Sequence, residues 1–182
     1  MSKEVYIKGK KFVPLYSKEL LAEKIKNLAT VVEGEIAGTQ NPLYVVMLNG
    51  AFMFAADFIR CLEGSVETKF VRYTSYSGMS STGSINKDAQ MKSDDVRGRV
   101  VIVLEDIVDT GGTMKAFVDD LIGMGAEKVL IATMFARDRA YSFGDRVYMH
   151  PAMVLKDDAF IVGFGLDYDG EGRNLPDIMV HL

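Results

Sequence analysis

The sequence predicts an α/β fold: a largely parallel sheet with helices covering both of its faces. Two observations predict it. Short, strongly aliphatic runs recur along the chain, Leu43 to Leu48 and Val100 to Leu104 being the purest. A strand buried on both faces is apolar throughout, because neither face meets water. Between such runs lie longer segments whose apolar residues return every three or four positions, the spacing that lines one face of a helix. Strands alternating with helices in this way build parallel sheets.

Taken in order, the elements are these. An amphipathic helix opens the domain from Ser17 to Ile36, where Leu21, Ile25, Leu28, Ala29, Val32 and Ile36 share a face. Leu43 to Leu48 is a buried strand bounded by the turn-forming pairs Asn41-Pro42 and Asn49-Gly50. Ala51 to Leu62 is helical, and its stripe of Phe52, Met53, Phe54 and Phe58 is read as core packing. Val66 to Tyr73 is rich in β-formers. Thr74 to Gly83, TSYSGMSSTG, is too polar for a core and too rich in Ser and Gly for a regular element. Val100 to Leu104 has the composition of a central strand, Thr113 to Met124 reads as a helix ended near Gly123 and Gly125, and Lys128 to Phe135 reads as another strand. Phe160 to Leu166 is a further apolar run. No repeat or linker divides the 182 residues, so one domain over 1–182 is expected.

Composition excludes several functions. A formal net charge of −4 opposes a role in neutralising nucleic-acid backbone, which usually shows as a basic stripe. The one cysteine, Cys61, permits no intrachain disulfide; lying in the apolar stretch 51–62, it is expected to be a buried, inert thiol in a reducing cytoplasm. Met1 to Lys11 carries lysines without a following apolar run, and no stretch approaches the roughly 20 apolar residues of a spanning helix, so neither export nor membrane insertion is expected.

The chemistry concentrates in Val100 to Thr113, VVIVLEDIVDTGGT. An aliphatic strand delivers the adjacent carboxylates Glu105 and Asp106, then Asp109, then a Thr110-Gly111-Gly112-Thr113 turn that opens a helix. Glycines let backbone N–H groups approach an anion closely, the helix N-terminus adds partial positive charge, and the two threonine hydroxyls add donors. The Walker spacing and the dinucleotide Gly-x-Gly-x-x-Gly spacing are both absent. Glu105 and Asp106, read as leaving the strand just before this cradle, are placed to hold sugar hydroxyls and a magnesium ion. A phosphorylated ribose fits that order. Asp167-x-Asp169-x-Glu171-Gly172 opens like a calcium loop, but Pro176 interrupts it and Ile178 stands at the twelfth position. His150 and His181 lack partners at zinc-ligand spacing.

VVIVLEDIVDTGGT resembles the phosphoribosyl pyrophosphate motif of the type I phosphoribosyltransferases, in detail that of the hypoxanthine-guanine group. The resemblance covers nearly the whole chain. Met47 to Phe54 is similar to the family's pyrophosphate loop, which implies backbone contacts from Leu48, Asn49 and Gly50 and a cis peptide between Leu48 and Asn49. Ser75-Tyr76 is similar to the pair on the family's mobile lid. Phe160-Ile161-Val162-Gly163 with Leu166-Asp167-Tyr168 resembles the base pocket, carried in that fold by a small hood region beside the sheet, and Arg173 matches an arginine used on pyrophosphate.

From the resemblance follow a set of roles: Asp109 as general base toward N7 of a purine, Phe160 as stacking face, Ile161 as backbone reader of the base edge, and Asp167 as ligand of a second magnesium. It also implies Mg2+ as cofactor, a 6-oxopurine and phosphoribosyl pyrophosphate as substrates, and a homo-oligomer, dimer or tetramer. Two positions depart from the family pattern. Arg137 stands where most members carry a lysine against the 6-oxo group, which leaves the choice among hypoxanthine, guanine and xanthine open. Asn49 stands where some relatives carry lysine, leaving this loop a backbone role. A transferase for xanthine or adenine, and a non-catalytic regulator sensing phosphoribosyl pyrophosphate, stay as alternatives.

Overall fold

The computed structural model describes residues 3–73, 91–139 and 141–182. Ser75 and Tyr76 lie outside the described residues. The chain opens with strands β1 (Val5–Ile7) and β2 (Lys10–Tyr16), then helix α1 (Lys18–Glu35), β3 (Leu43–Leu48), α2 (Phe52–Arg60) and β4 (Glu67–Arg72). There follow the short α3 (Ser93–Val96), β5 (Val100–Val108), α4 (Gly112–Gly123), β6 (Lys128–Arg137), β7 (Val147–Leu155), β8 (Ile161–Val162) and β9 (Ile178–His181).

Five strands form one sheet in the order β4-β3-β5-β6-β7, and all four pairings are parallel. The expected alternation appears residue by residue. Tyr44, Val46, Ile102, Leu104, Leu130 and Ala132 point to the face covered by α1 and α2, where Leu21, Ile25, Phe54 and Phe58 meet them. Leu43, Val45, Val101, Val103, Val129 and Ile131 point to the opposite face, covered by Phe117, Val118 and Leu121 of α4. Both faces are dry, which is why these strands carry no polar side.

A second, four-stranded sheet, β1-β2-β9-β8, is antiparallel and makes the hood. Its small core is Ile7, Phe12, Val162 and Met179. The two sheets are coupled through the start of α1. Ser17 caps that helix, its hydroxyl accepting from the Leu20 N–H at 3.4 Å, and the buried Asp177, from the loop before β9, accepts from the Lys18 N–H at 2.7 Å. A carboxylate at a helix N-terminus satisfies an orphan donor and meets the positive end of the dipole.

Four expectations are corrected. The helix at Ser17 does not open the domain, because a hairpin precedes it; β1 holds three residues, and β2 opens on two lysines and carries Pro14, so neither forms a continuous apolar run. The central strand runs on to Val108, so Glu105 and Asp106 sit within it. Cys61 caps the C-terminus of α2 and is exposed, since the apolar stretch around it ends on the surface. Of the phenylalanine stripe, Phe54 and Phe58 are buried while Phe52, in the first turn of α2, is 42% exposed.

Replacing Asp177 by alanine is expected to lower the unfolding free energy by about 1–2 kcal/mol, more than Ser17→Ala, whose capping bond is long; urea denaturation of both variants checks the order.

Candidate active site

The carboxyl ends of β3 and β5 part at the point where the strand order reverses, since β4 lies on one side of β3 and β5 on the other. Open parallel sheets bind ligands in that crevice. The loop Leu48-Asn49-Gly50 leaves β3 on one side, and the segment from Glu105 to Thr113 leaves β5 on the other. The Leu48–Asn49 peptide is cis.

Side-chain alternation breaks where the acids begin. Leu104 and Ile107, three apart, both pack on the α1/α2 side, and Asp106 has no register partner on β6. The acids satisfy the backbone they disturb: Glu105 Oε1 accepts from the Asp106 N–H at 3.0 Å, and Asp106 Oδ1 from the Ile107 N–H at 2.9 Å. Glu105 lines a cavity of about 130 Å³ together with Asp109, Thr110, Gly111 and Thr113. Burial, and then the adjacent Asp106 carboxylate, hold the Glu105 carboxyl well above the ordinary range, while the Asp106 N–H works weakly the other way.

Asp106 instead meets the β3 loop. A Cβ on Gly50 would lie 1.6 Å from Asp106 Oδ2, so only glycine fits there. The hood closes on the same point: a Cβ on Gly165, whose φ is +100°, would lie 2.1 Å from the Gly50 carbonyl oxygen. Arg173 braces that turn, donating to the Gly165 carbonyl at 2.7 Å and pairing with Asp167 Oδ1 at 2.7 Å. Asp167 Oδ2 accepts from the Gly170 N–H at 2.7 Å. The structure thus pairs Arg173 and Asp167 with each other. Asn49 is held through its side chain, its amide oxygen accepting from Arg72 at 2.9 Å.

On the β5 side, Gly111 adopts φ +81° and opens α4. Asp109 is 57% exposed, with Arg137 Nε and Arg139 Nη2 each 3.6 Å from its Oδ1. Arg137 is buried, and its two terminal nitrogens donate to the carbonyls of Asp157, at 2.5 Å, and Ala159, at 3.1 Å. That fastens the loop leading to Phe160. Phe160 is 48% exposed, with the rings of Phe12 and Tyr168 beside it, and Ile161 is buried next to it on β8.

The structure therefore gathers Glu105, Asp109, Thr110, Gly111 and Thr113 around one cavity, and sets Asp106 against Gly50 of the β3 loop. Gly112 is the first residue of α4. Arg139, Gly165 and Tyr141, whose ring covers Gly111, were not singled out by pattern; they lie in loops that carry no periodicity. Among the described residues no group of three or more His, Cys, Asp or Glu side chains is arranged to hold a metal by itself, and no helix is long and apolar enough to cross a membrane.

Residues 15–169 match the family model described as the phosphoribosyl transferase domain. A hypoxanthine-guanine phosphoribosyltransferase from Aquifex aeolicus is 36% identical over 177 residues, 94% of this chain and 96% of that protein. A hypoxanthine-guanine-xanthine phosphoribosyltransferase from Tritrichomonas foetus is 30% identical, over 89% of this chain and 87% of that one. Among solved structures, a hypoxanthine-guanine phosphoribosyltransferase from Bacillus anthracis superposes with a TM-score of 0.75 at 29% identity, covering 93% of this chain and 96% of its own.

A carboxyl raised above its ordinary 4.5 is disfavoured as an anion in the folded state. Its burial is therefore harmless below that pH, and stability is lost as the pH rises above it. Glu105→Gln, uncharged throughout, is expected to melt at a higher temperature than the parent at pH 7 in the presence of a chelator, the gap closing as the pH approaches 4.5; thermal unfolding followed by circular dichroism across that range checks it.

Proposed function

The chain belongs to the phosphoribosyl transferase family, among the hypoxanthine-guanine phosphoribosyltransferases, and on that premise we propose that it joins a 6-oxopurine to the ribose of phosphoribosyl pyrophosphate. Hypoxanthine and guanine are the proposed bases; the products are a nucleoside 5′-monophosphate and pyrophosphate. The observation that carries the reading is the cavity at the end of β5, where the Asp109 to Thr113 turn opens α4 beside the strand-borne Glu105. Backbone N–H groups of that turn and the hydroxyls of Thr110 and Thr113 take the 5-phosphate, and the start of α4 adds its positive end.

In the transfer, the bond from C1 of the ribose to pyrophosphate breaks, a ring nitrogen of the base bonds to C1, and the proton on N7 passes to Asp109. Asp109 suits that task because its carboxylate is exposed at the strand end. Displacement passes through a cation-like sugar, so charge on the departing group must be neutralised. Arg173, held by Gly165 and Asp167, and the backbone of Leu48, Asn49 and Gly50 serve that group. Ser75 and Tyr76 are assigned to the lid by resemblance.

Glu105 and Asp106 would hold a magnesium ion: both are hard oxygen donors, and a phosphorylated substrate would complete the ion's surroundings. A cation beside Glu105 would also favour the ionised form that burial opposes. When bound, magnesium neutralises the leaving group. We assign it to this pair, with Asp167 as the ligand of a second magnesium; in the structure Asp167 pairs with Arg173 and accepts from the Gly170 N–H.

For the base, Phe160 offers a half-exposed ring and the backbone of Ile161 an edge. Arg137 has two nitrogens engaged by carbonyls, while its buried Nε has no hydrogen-bond partner among the described residues. That N–H is one donor for the 6-oxo oxygen. The reading is of a single catalytic domain, working in the cytoplasm as a homo-oligomer.

A panel of hypoxanthine, guanine, xanthine and adenine with phosphoribosyl pyrophosphate and magnesium tests the reading: nucleotide formed from the first two supports it, and strict use of adenine or no product overturns it. Asp109→Asn is expected to lower kcat by roughly 10²–10⁴-fold, with little change in the Kd for phosphoribosyl pyrophosphate, since the amide keeps the shape but cannot take the proton. Arg137→Lys is expected to raise the KM for the base by about tenfold or more, because one ammonium cannot hold two carbonyls and also present the Nε donor; steady-state kinetics with each substrate varied separates the two effects.

A further inference from the structure

We propose that Tyr141 is a positioning residue for Asp109, tying the carboxyl ends of β5 and β6 together through its hydroxyl. This rests on the base assignment made above and deepens it.

The hydroxyl lies 2.8 Å from the Val108 carbonyl, 2.9 Å from that of Asp109 and 3.1 Å from that of Arg137, and it accepts from the Arg137 N–H at 3.0 Å. The two strands are parallel neighbours whose register ends at Val108 opposite Ala136. Beyond that pair the ladder supplies no bond, and the two residues carrying the chemistry, Asp109 and Arg137, lie just past it or at its last position. Arg137 keeps its pairing with Leu155 of β7, and its carbonyl accepts from the Arg139 N–H at 2.8 Å, but neither ties it to β5. The tyrosine hydroxyl, with one proton to donate to a carbonyl and an oxygen that accepts from the Arg137 N–H, bridges the two strand ends. Burial lifts its hydroxyl above the ordinary phenol range, so it stays protonated and keeps its donor.

The ring has a separate task. Cδ1 of Tyr141 is 2.8 Å from where a Cβ on Gly111 would be, so the ring covers the left-handed glycine of the phosphate turn. It is stacked on Phe143, with centroids 6.1 Å apart and planes 9° from parallel, which holds it in place. Hydroxyl and ring thus act on adjacent parts of the site, the first on the general base and the second on the turn. Displacement of a reacting group by even about 1 Å costs large factors in rate, which gives the hydroxyl its effect on turnover.

The test separates those two parts. Tyr141→Phe, which keeps the ring on Gly111, is expected to lower kcat about tenfold while the KM for phosphoribosyl pyrophosphate stays within about twofold. Tyr141→Ala is expected to raise that KM as well. The same Tyr141→Phe change made in the Asp109→Asn variant is the deciding measurement, because residues acting as a unit are non-additive. If the hydroxyl acts through Asp109, the tenfold loss vanishes in that background. An equal loss in both backgrounds, or a Phe variant with unchanged kcat, overturns the proposal. A wild-type chain without transferase activity would instead refute the function itself, so the two failures are distinguishable.

Discussion

Gly50 is where three parts of the chain meet without room for a side chain. The Asp106 carboxylate of β5 lies against its α-carbon, and the Gly165 turn of the hood lies against its carbonyl. Each neighbour would be displaced by a single added carbon, so the loop after β3, the acid on β5 and the hood are set at one mutual distance. That constraint is steric, and steric contacts in a packed interior do not yield by degrees. Arg173, braced on Gly165 and paired with Asp167, extends the same constraint into the hood. The separation between the loop after β3 and the end of β5 is therefore a property of packing at Gly50.

The two acids of this one segment meet different surroundings. Glu105 sits in a cavity where its charge is disfavoured, and its oxygen turns to the next backbone N–H. Asp109, four residues on, is open to solvent, with two guanidinium groups near it.

The central strands β3, β5 and β6 were legible because burial on both faces leaves a continuous aliphatic run, and Leu43–Leu48 coincides with the structural strand at both ends; the edge strand β7, interrupted by His150 and Pro151 and half-buried along its length, was not. The turn after β5 and the start of α4 were legible because a strand run followed by a Gly-Gly pair and an apolar periodic segment marks a strand-turn-helix. The hood was not: β1, β8 and β9 hold three, two and four residues, and antiparallel pairing of β2 with β9 joins segments at opposite ends of the chain. Exposure also misled where an apolar run reached a helix end, as at Cys61 and Phe52. Tyr141 carried no signal, since its hydroxyl meets backbone groups, of Arg137 nearby and of Val108 and Asp109 more than 30 residues away.

By itself the sequence determined the α/β class, the strand and helix that flank the Asp109–Thr113 turn, and the identity of the acids and glycines around it, because these are local properties of spacing and side-chain type. Only the tertiary structure decided which of those groups touch. It set Asp106 against Gly50, closed the hood on that glycine, paired Asp167 with Arg173, and placed Tyr141 across the ends of β5 and β6. Such contacts depend on where strand order reverses and which loops then share a crevice, and a one-dimensional pattern carries no record of that distance.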